Sequence, residues 1–327
     1  MLTLLPSPIP QLTEGKLKSS QSARSGQDKT DKAESDVTPP LPSPTLRLHL
    51  NDLKHSATKT FLHLIPDPDS VLKTALSVIV THLYTSPPKS SSHSPTKHVR
   101  PSFTPSIPPT RSVTVILHDF SGVAYTTGID LDSDHKEIHF SLSYIEANSS
   151  SSTDLLSELA GVLTHELVHC YQHTSPPSSD SESIPQPPSG LVEGIADFVR
   201  LKASLNPPHW KRPSCAADLP ESWDQGYEHT AYFLEWLEDV KIGAGAIGML
   251  NDRLLRVGYV GQGTDDSDEE SRKKDDAGPD VNKENDFWVG LFGLRVLELW
   301  KQYGLYLDRL AEENKAAKEH ITSAENI

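Results

Sequence analysis

Apolar residues recur with two distinct periods along this chain. In TLRLHLND, Leu46, Leu48 and Leu50 alternate with polar neighbours, the period-two pattern of a half-buried strand. SVTVILHDF repeats it with Val113, Val115 and Leu117. EIHFSLSYIE repeats it with Ile138, Phe140, Leu142 and Tyr144, which predicts a strand over 137–145. Between these two, SGVAYTTG predicts a further short strand. The period changes in DSVLKTALSVIVTHLYT, where Leu72, Leu76, Ile79 and Leu83 share one helical face behind an Asp69 or Ser70 cap. NSSSSTD supplies caps for a helix over about 153–173. SGLVEGIADFVRLKAS predicts a second helix over 189–204, capped by Ser189, with Leu191, Ile195 and Phe198 on its apolar face. The order predicts an α/β (α+β) fold: a small mixed sheet with helices, a mainly helical C-terminal half, and a cleft between them. Strand 137–145 is expected to line that cleft, where an extended substrate could add to it as a strand.

Four stretches carry neither period. Residues 1–44, 86–110, 174–189 and 261–285 are dominated by Ser, Pro and charged residues. They cannot bury enough apolar surface to offset the entropy of ordering, so disorder is expected there. This leaves one domain over 45–310 with three insertions, followed by a tail over 311–327; long insertions are tolerated because closure entropy grows slowly with length. Composition agrees, with 35% hydrophobic residues and 26 prolines.

The formal charge of -15 disfavours phosphate backbones and anionic lipid, so neither nucleic acid nor membrane is an expected partner. No apolar run approaches the roughly 20 residues that span a bilayer. MLTLLPSPIP lacks a basic start and breaks at Pro6, a poor signal peptide, so intracellular residence is favoured. A monomer is expected. Cys170 and Cys215 are too few for a disulfide framework and are read as free thiols.

The chemistry concentrates in GVLTHELVHCYQH. Residues four apart on a helix share a face, so His165 and His169 can aim two imidazoles at one point, a donor pair that suits Zn²⁺. Glu166 lies about 100° around the helix from His165, placed to reach a water without ligating the ion. A catalytic zinc keeps three protein ligands and an open position. His173 is a poor third ligand, since eight residues rise about 12 Å along a helix. Glu193 is the better candidate if its helix packs against the first. Asp197, four residues on, can then hold the other ring N–H of a ligand histidine, with Arg200 pairing to that carboxylate. Gly194, costing about 1 kcal/mol in mid-helix, would let a metal site or a neighbouring backbone come close. WDQGYEHTAYF offers Tyr227, His229 and Tyr232 as oxyanion donors, with Tyr227 the choice. Trp223, Trp236, Trp288 and Trp300 are assigned to packing.

GVLTHELVHCYQH, followed by GLVEGIADFVRLKA and WDQGYEHTAYFLEWLE, resembles the plant basic secretory protein (BSP) family, zincin-type metallopeptidases with fungal and bacterial members. VILHDFSGVAYTTG, IHFSLSYIEA and FWVGLFGLRVLELWKQY extend the resemblance over roughly residues 45–303. It implies a zincin-like fold and a zinc-dependent peptidase with His165, Glu166 and His169 as its signature. EGIAD resembles the Glu-x-x-x-Asp element of gluzincins, which favours Glu193 over His173 as the third ligand. This acidic chain departs from the family's name, and its insertion between the ligand helices is long. The expected activity is hydrolysis of a peptide or protein substrate by a zinc-activated water with Glu166 as general base. The alternative is a catalytically inactive module that binds zinc or a peptide on the same scaffold.

Overall fold

A computed structural model of the protein describes residues 39–87, 102–149, 154–177, 184–261 and 286–325. Most of the disorder expected over 1–44 and 261–285, and part of that over 86–110 and 174–189, falls outside these residues.

Four strands form one mixed sheet in the order β1-β2-β4-β3. They are β1 (Thr45–Leu50), β2 (Ser112–His118), β3 (Ala124–Ile129) and β4 (Asp132–Ser141). β1, β2 and β4 run parallel, and β3 pairs antiparallel with β4 at the sheet edge. Val113, Val115, Leu117, Ile138 and Phe140 are fully buried on one face, as their alternation requires. A parallel pair needs a crossover. From β1 to β2 it is made by α1 (Ser56–Leu64) and α2 (Pro68–Leu83). α1 left little periodic signal: only Ala57, Thr58 and Phe61 are buried, and its cap is His55. α2 begins at Pro68 behind Asp67, two or three residues earlier than an Asp69 or Ser70 cap would place it. Proline fits there because its fixed φ matches the first helical position.

The strand expected over 137–145 stops at Ser141. Its side chain accepts from the Tyr144 N–H and caps α3 (Leu142–Asn148), so Leu142 and Tyr144 are helical. Such local side-chain bonds compete with the sheet ladder. α4 (Leu155–His169) is capped by Asp154 and ends at His169, which leaves His173 beyond the helix. α5 (Ser189–Lys202) has Pro188 at its N-cap, so Ser189 is its first residue and not its cap.

The C-terminal half is helical: α6 (Tyr227–Trp236), a π turn at Leu237–Lys241, α7 (Ala246–Arg256), α8 (Phe287–Phe292) and α9 (Val296–Glu325). Residues 311–325 thus continue a helix where a separate tail was expected. Trp223, Trp236 and Trp288 are buried around Phe233, with Trp300 packed edge-on against that ring. Residues 102–110, the end of the insertion expected over 86–110, are among the described residues. Ile107 packs on the core, and His173 Nε2 lies 2.8 Å from the Ser106 carbonyl. One apolar side chain and one backbone carbonyl anchor this proline-rich run. Both cysteines are free, Cys170 buried and Cys215 half-buried.

Candidate active site

α4 and α5 pack side by side with opposite numbering. Glu193 and Asp197 face His165, while Arg200 reaches Glu158, near the start of α4. At one point of this seam, three ligand-type atoms meet. His165 Nε2 is 3.1 Å from Glu193 Oε2 and 3.1 Å from His169 Nε2, and His169 Nε2 is 3.7 Å from Glu193 Oε2. Ligands bound at about 2.05 Å with tetrahedral angles stand about 3.3 Å from one another. The spacing therefore fits one small cation. Among the described residues this is the one cluster of His, Cys, Asp or Glu that converges in this way.

The electrostatics point to the same need. Burial disfavours a charged His165 ring, but the Asp197 and Glu193 carboxylates outweigh it and push its pKa up to about 10. Hydrogen bonds from His165 and then His169 hold the Glu193 carboxyl well below the usual range. A divalent ion held between the two imidazoles would satisfy this carboxylate and the ring nitrogens that face it.

Asp197, 2% exposed, lies 2.7 Å from His165 Nδ1. That bond fixes which ring nitrogen keeps its proton, so that Nε2 is the atom that would ligate a cation. Arg200 does not pair with Asp197, as the sequence suggested. Its Nη2 donates to Glu158 at 2.9 Å and its Nε to the Leu205 carbonyl at 2.9 Å. The register explains this: three residues along α5, Arg200 has passed the histidines and lies over Gly161, where a Cβ would come within 2.5 Å of its Nε. Glu158 also accepts from Tyr144 Oη at 2.7 Å. His169 has its own neighbour, Gln172, whose amide nitrogen is 2.8 Å from Nδ1. His173 sits apart from the cluster, against Tyr84 and Ser106.

Glu166 projects from α4 beside the cluster, where β3 crosses the helix. Thr126 Oγ1 lies 2.8 Å from Glu166 Oε2 and 2.9 Å from the Glu166 carbonyl. β3 therefore lines the cleft, whereas β4, flanked by β2 and β3, has no free edge to offer a substrate. The strand expected to line the cleft is flanked on both sides, because β3 closes the sheet there.

Tyr227 reaches the cleft from the other wall. It opens α6 with φ 47° directly after Gly226 at φ 88°, a left-handed pair that few bulky residues adopt. Its side chain is 57% exposed and lines the cavity with His165, Glu166 and Glu193. Its pKa is raised by partial burial and by the charges of Glu193, Asp197 and Glu166. Two glycines of α5 allow the approach. A Cβ at Gly190 would fall 1.8 Å from the Asp224 carbonyl oxygen, and one at Gly194 would fall 2.3 Å from Thr230 Cγ2. Gly194 thus admits a neighbouring helix, not the cation. His229 is absent from the cavity lining, and Tyr232 packs against Trp210 instead. The cavity, about 640 Å³, is lined by the two histidines and also by Val162, Val192, Pro207 and Trp210.

Thr126, Gln172 and Glu158 were not singled out from sequence. Gln172 alone had a usable signal, three residues after His169.

The family model described as "BSP: Peptidase of plants and bacteria" matches residues 43–303. No curated protein and no solved structure matches the chain.

Proposed function

The chain belongs to the BSP family, peptidases of plants and bacteria, and on that premise we propose that it is a zinc-dependent peptidase. The observation that carries this reading is the meeting of His165, His169 and Glu193 at tetrahedral spacing, with Glu166 beside it. Two imidazoles and one carboxylate form the donor set of a catalytic zinc that keeps a position open. When bound there, zinc would polarise a peptide carbonyl and make a water acidic enough to ionise near pH 7.

The chain supplies the rest. Glu166 takes a proton from the attacking water and returns it to the leaving amine. Thr126 holds the carboxylate that does so, bonding one of its oxygens. Asp197 keeps His165 in the tautomer that ligates. Tyr227 is the donor available to the oxygen on which charge develops. An extended peptide fits along β3, whose outer edge has no neighbouring strand among the described residues. The sheet beside a histidine-bearing helix, with the third ligand on the next helix, supports the zincin-like reading.

The test uses the full-length protein and a broad peptide library. Wild type loaded with zinc should cleave, 1,10-phenanthroline should abolish cleavage, and Glu166→Gln should bind zinc but turn over at least 100-fold more slowly. Absence of cleavage by the zinc-loaded wild type would leave a binding module in its place.

A further inference from the structure

We propose that Gln172 is the positioning residue for His169, and that its carboxamide turns when the metal site fills. This rests on the zinc reading of the cluster. As placed, the Gln172 amide nitrogen stands 2.8 Å from His169 Nδ1, and the amide oxygen is buried with no hydrogen-bond partner. An amide nitrogen can only donate, so this arrangement requires a lone pair on Nδ1 and puts the ring proton on Nε2. It turns that proton towards the cluster, where His169 Nε2 stands 3.1 Å from His165 Nε2 and 3.7 Å from Glu193 Oε2.

Loading the site reverses the demand. A neutral imidazole that ligates through Nε2 carries its proton on Nδ1. Two donors would then face each other 2.8 Å apart. Oxygen and nitrogen of a carboxamide occupy nearly the same outline, so a half-turn about the last side-chain bond brings the stranded oxygen to the Nδ1 proton. His169 thereby gains an acceptor, as His165 has one in Asp197. The difference is chemical: one ligand is backed by an anion, the other by a neutral amide that can serve both states of the site. His169 is the adjustable ligand for this reason.

The experiment measures zinc affinity by chelator competition and thermal midpoint without metal, for wild type, Gln172→Leu and Gln172→Glu. Leucine can neither donate nor accept, and should weaken zinc binding roughly 10–100-fold. A carboxylate can only accept. If the loaded state needs an acceptor, Gln172→Glu should bind zinc at least as tightly as wild type while losing thermal stability in the metal-free form. Equal weakening in both variants, or no weakening in Gln172→Leu although wild type binds zinc, would overturn the inference alone. Failure of wild type to bind zinc would instead remove the metal reading and this inference with it. The metal-free thermal midpoints separate a misfolded variant from one with an altered site.

Discussion

Thr126 Oγ1 stands 2.8 Å from Glu166 Oε2, a bond between the edge strand and the carboxylate next to the first histidine. It ties the position of the proposed general base to the strand proposed to carry the substrate. Thr126→Val removes the hydroxyl and keeps the shape. A hydrogen bond to a charged group contributes about 1.5–3 kcal/mol. The expected outcome is a kcat lowered about tenfold or more, with zinc content and thermal midpoint close to wild type. Steady-state kinetics beside metal analysis check it.

Asp197 and Arg200 sit one turn apart on α5 yet should fail differently. Asp197→Asn removes the anion behind His165 and should weaken zinc binding roughly 10–100-fold. Arg200→Met should leave that affinity within about threefold, because Arg200 pairs with Glu158 and not with Asp197. It should instead cost about 3 kcal/mol of stability, since the largely covered Glu158 would lose its cation and keep only the Tyr144 hydroxyl as a bonded side chain. Chelator competition and denaturant unfolding separate the two.

Tyr227→Phe should lower kcat roughly 100-fold, the usual effect of deleting one oxyanion donor, with KM and zinc affinity little changed. A change in KM alone would assign Tyr227 to ordinary substrate contact.

Gly194→Ala would normally stabilise an exposed helix by about 1 kcal/mol. Here the new methyl group would lie 2.3 Å from Thr230 Cγ2 and 2.5 Å from Thr230 Cβ. The expected result is a net loss of about 1–3 kcal/mol and reduced activity, as α6 is pushed off α5 and carries Tyr227 with it. Thermal unfolding and a single-turnover assay test both parts.

His82 provides a pH signature away from the site. Burial first, and Lys202 second, lower its pKa to about 4 in the folded chain. The unfolded chain takes up this proton near pH 6.5. The neutral ring therefore contributes to stability above pH 6.5, and the contribution is lost as pH falls towards 4. Allowing for partial exposure, the loss is about 2 kcal/mol. His82→Gln should flatten the acid limb of thermal midpoint against pH relative to wild type.

The pattern of apolar positions was enough to place the inner face of the sheet, because Val113, Val115, Leu117, Ile138 and Phe140 alternate without interruption. It misread the end of β4, since Leu142 and Tyr144 keep the alternation by coincidence while Ser141 starts a helix. The four-residue spacing of His165 and His169 was legible because a helix fixes which side chains share a face. The partner of Arg200 was not, because it depends on how α5 lies against α4, and the register of two helices is a tertiary fact. Thr126 was hidden for the same reason: its strand was visible, but not which helix it crosses.

The glycine contacts at Gly190 and Gly194 leave α6 no slack to slide along α5. One jaw of the cleft, carrying Glu193 and Tyr227, is therefore a single stiff block. Any accommodation of substrates of different bulk falls to the opposing jaw, the β3 margin. Inhibitors for this protein should be tailored in length to the fixed jaw and varied only where they meet the other.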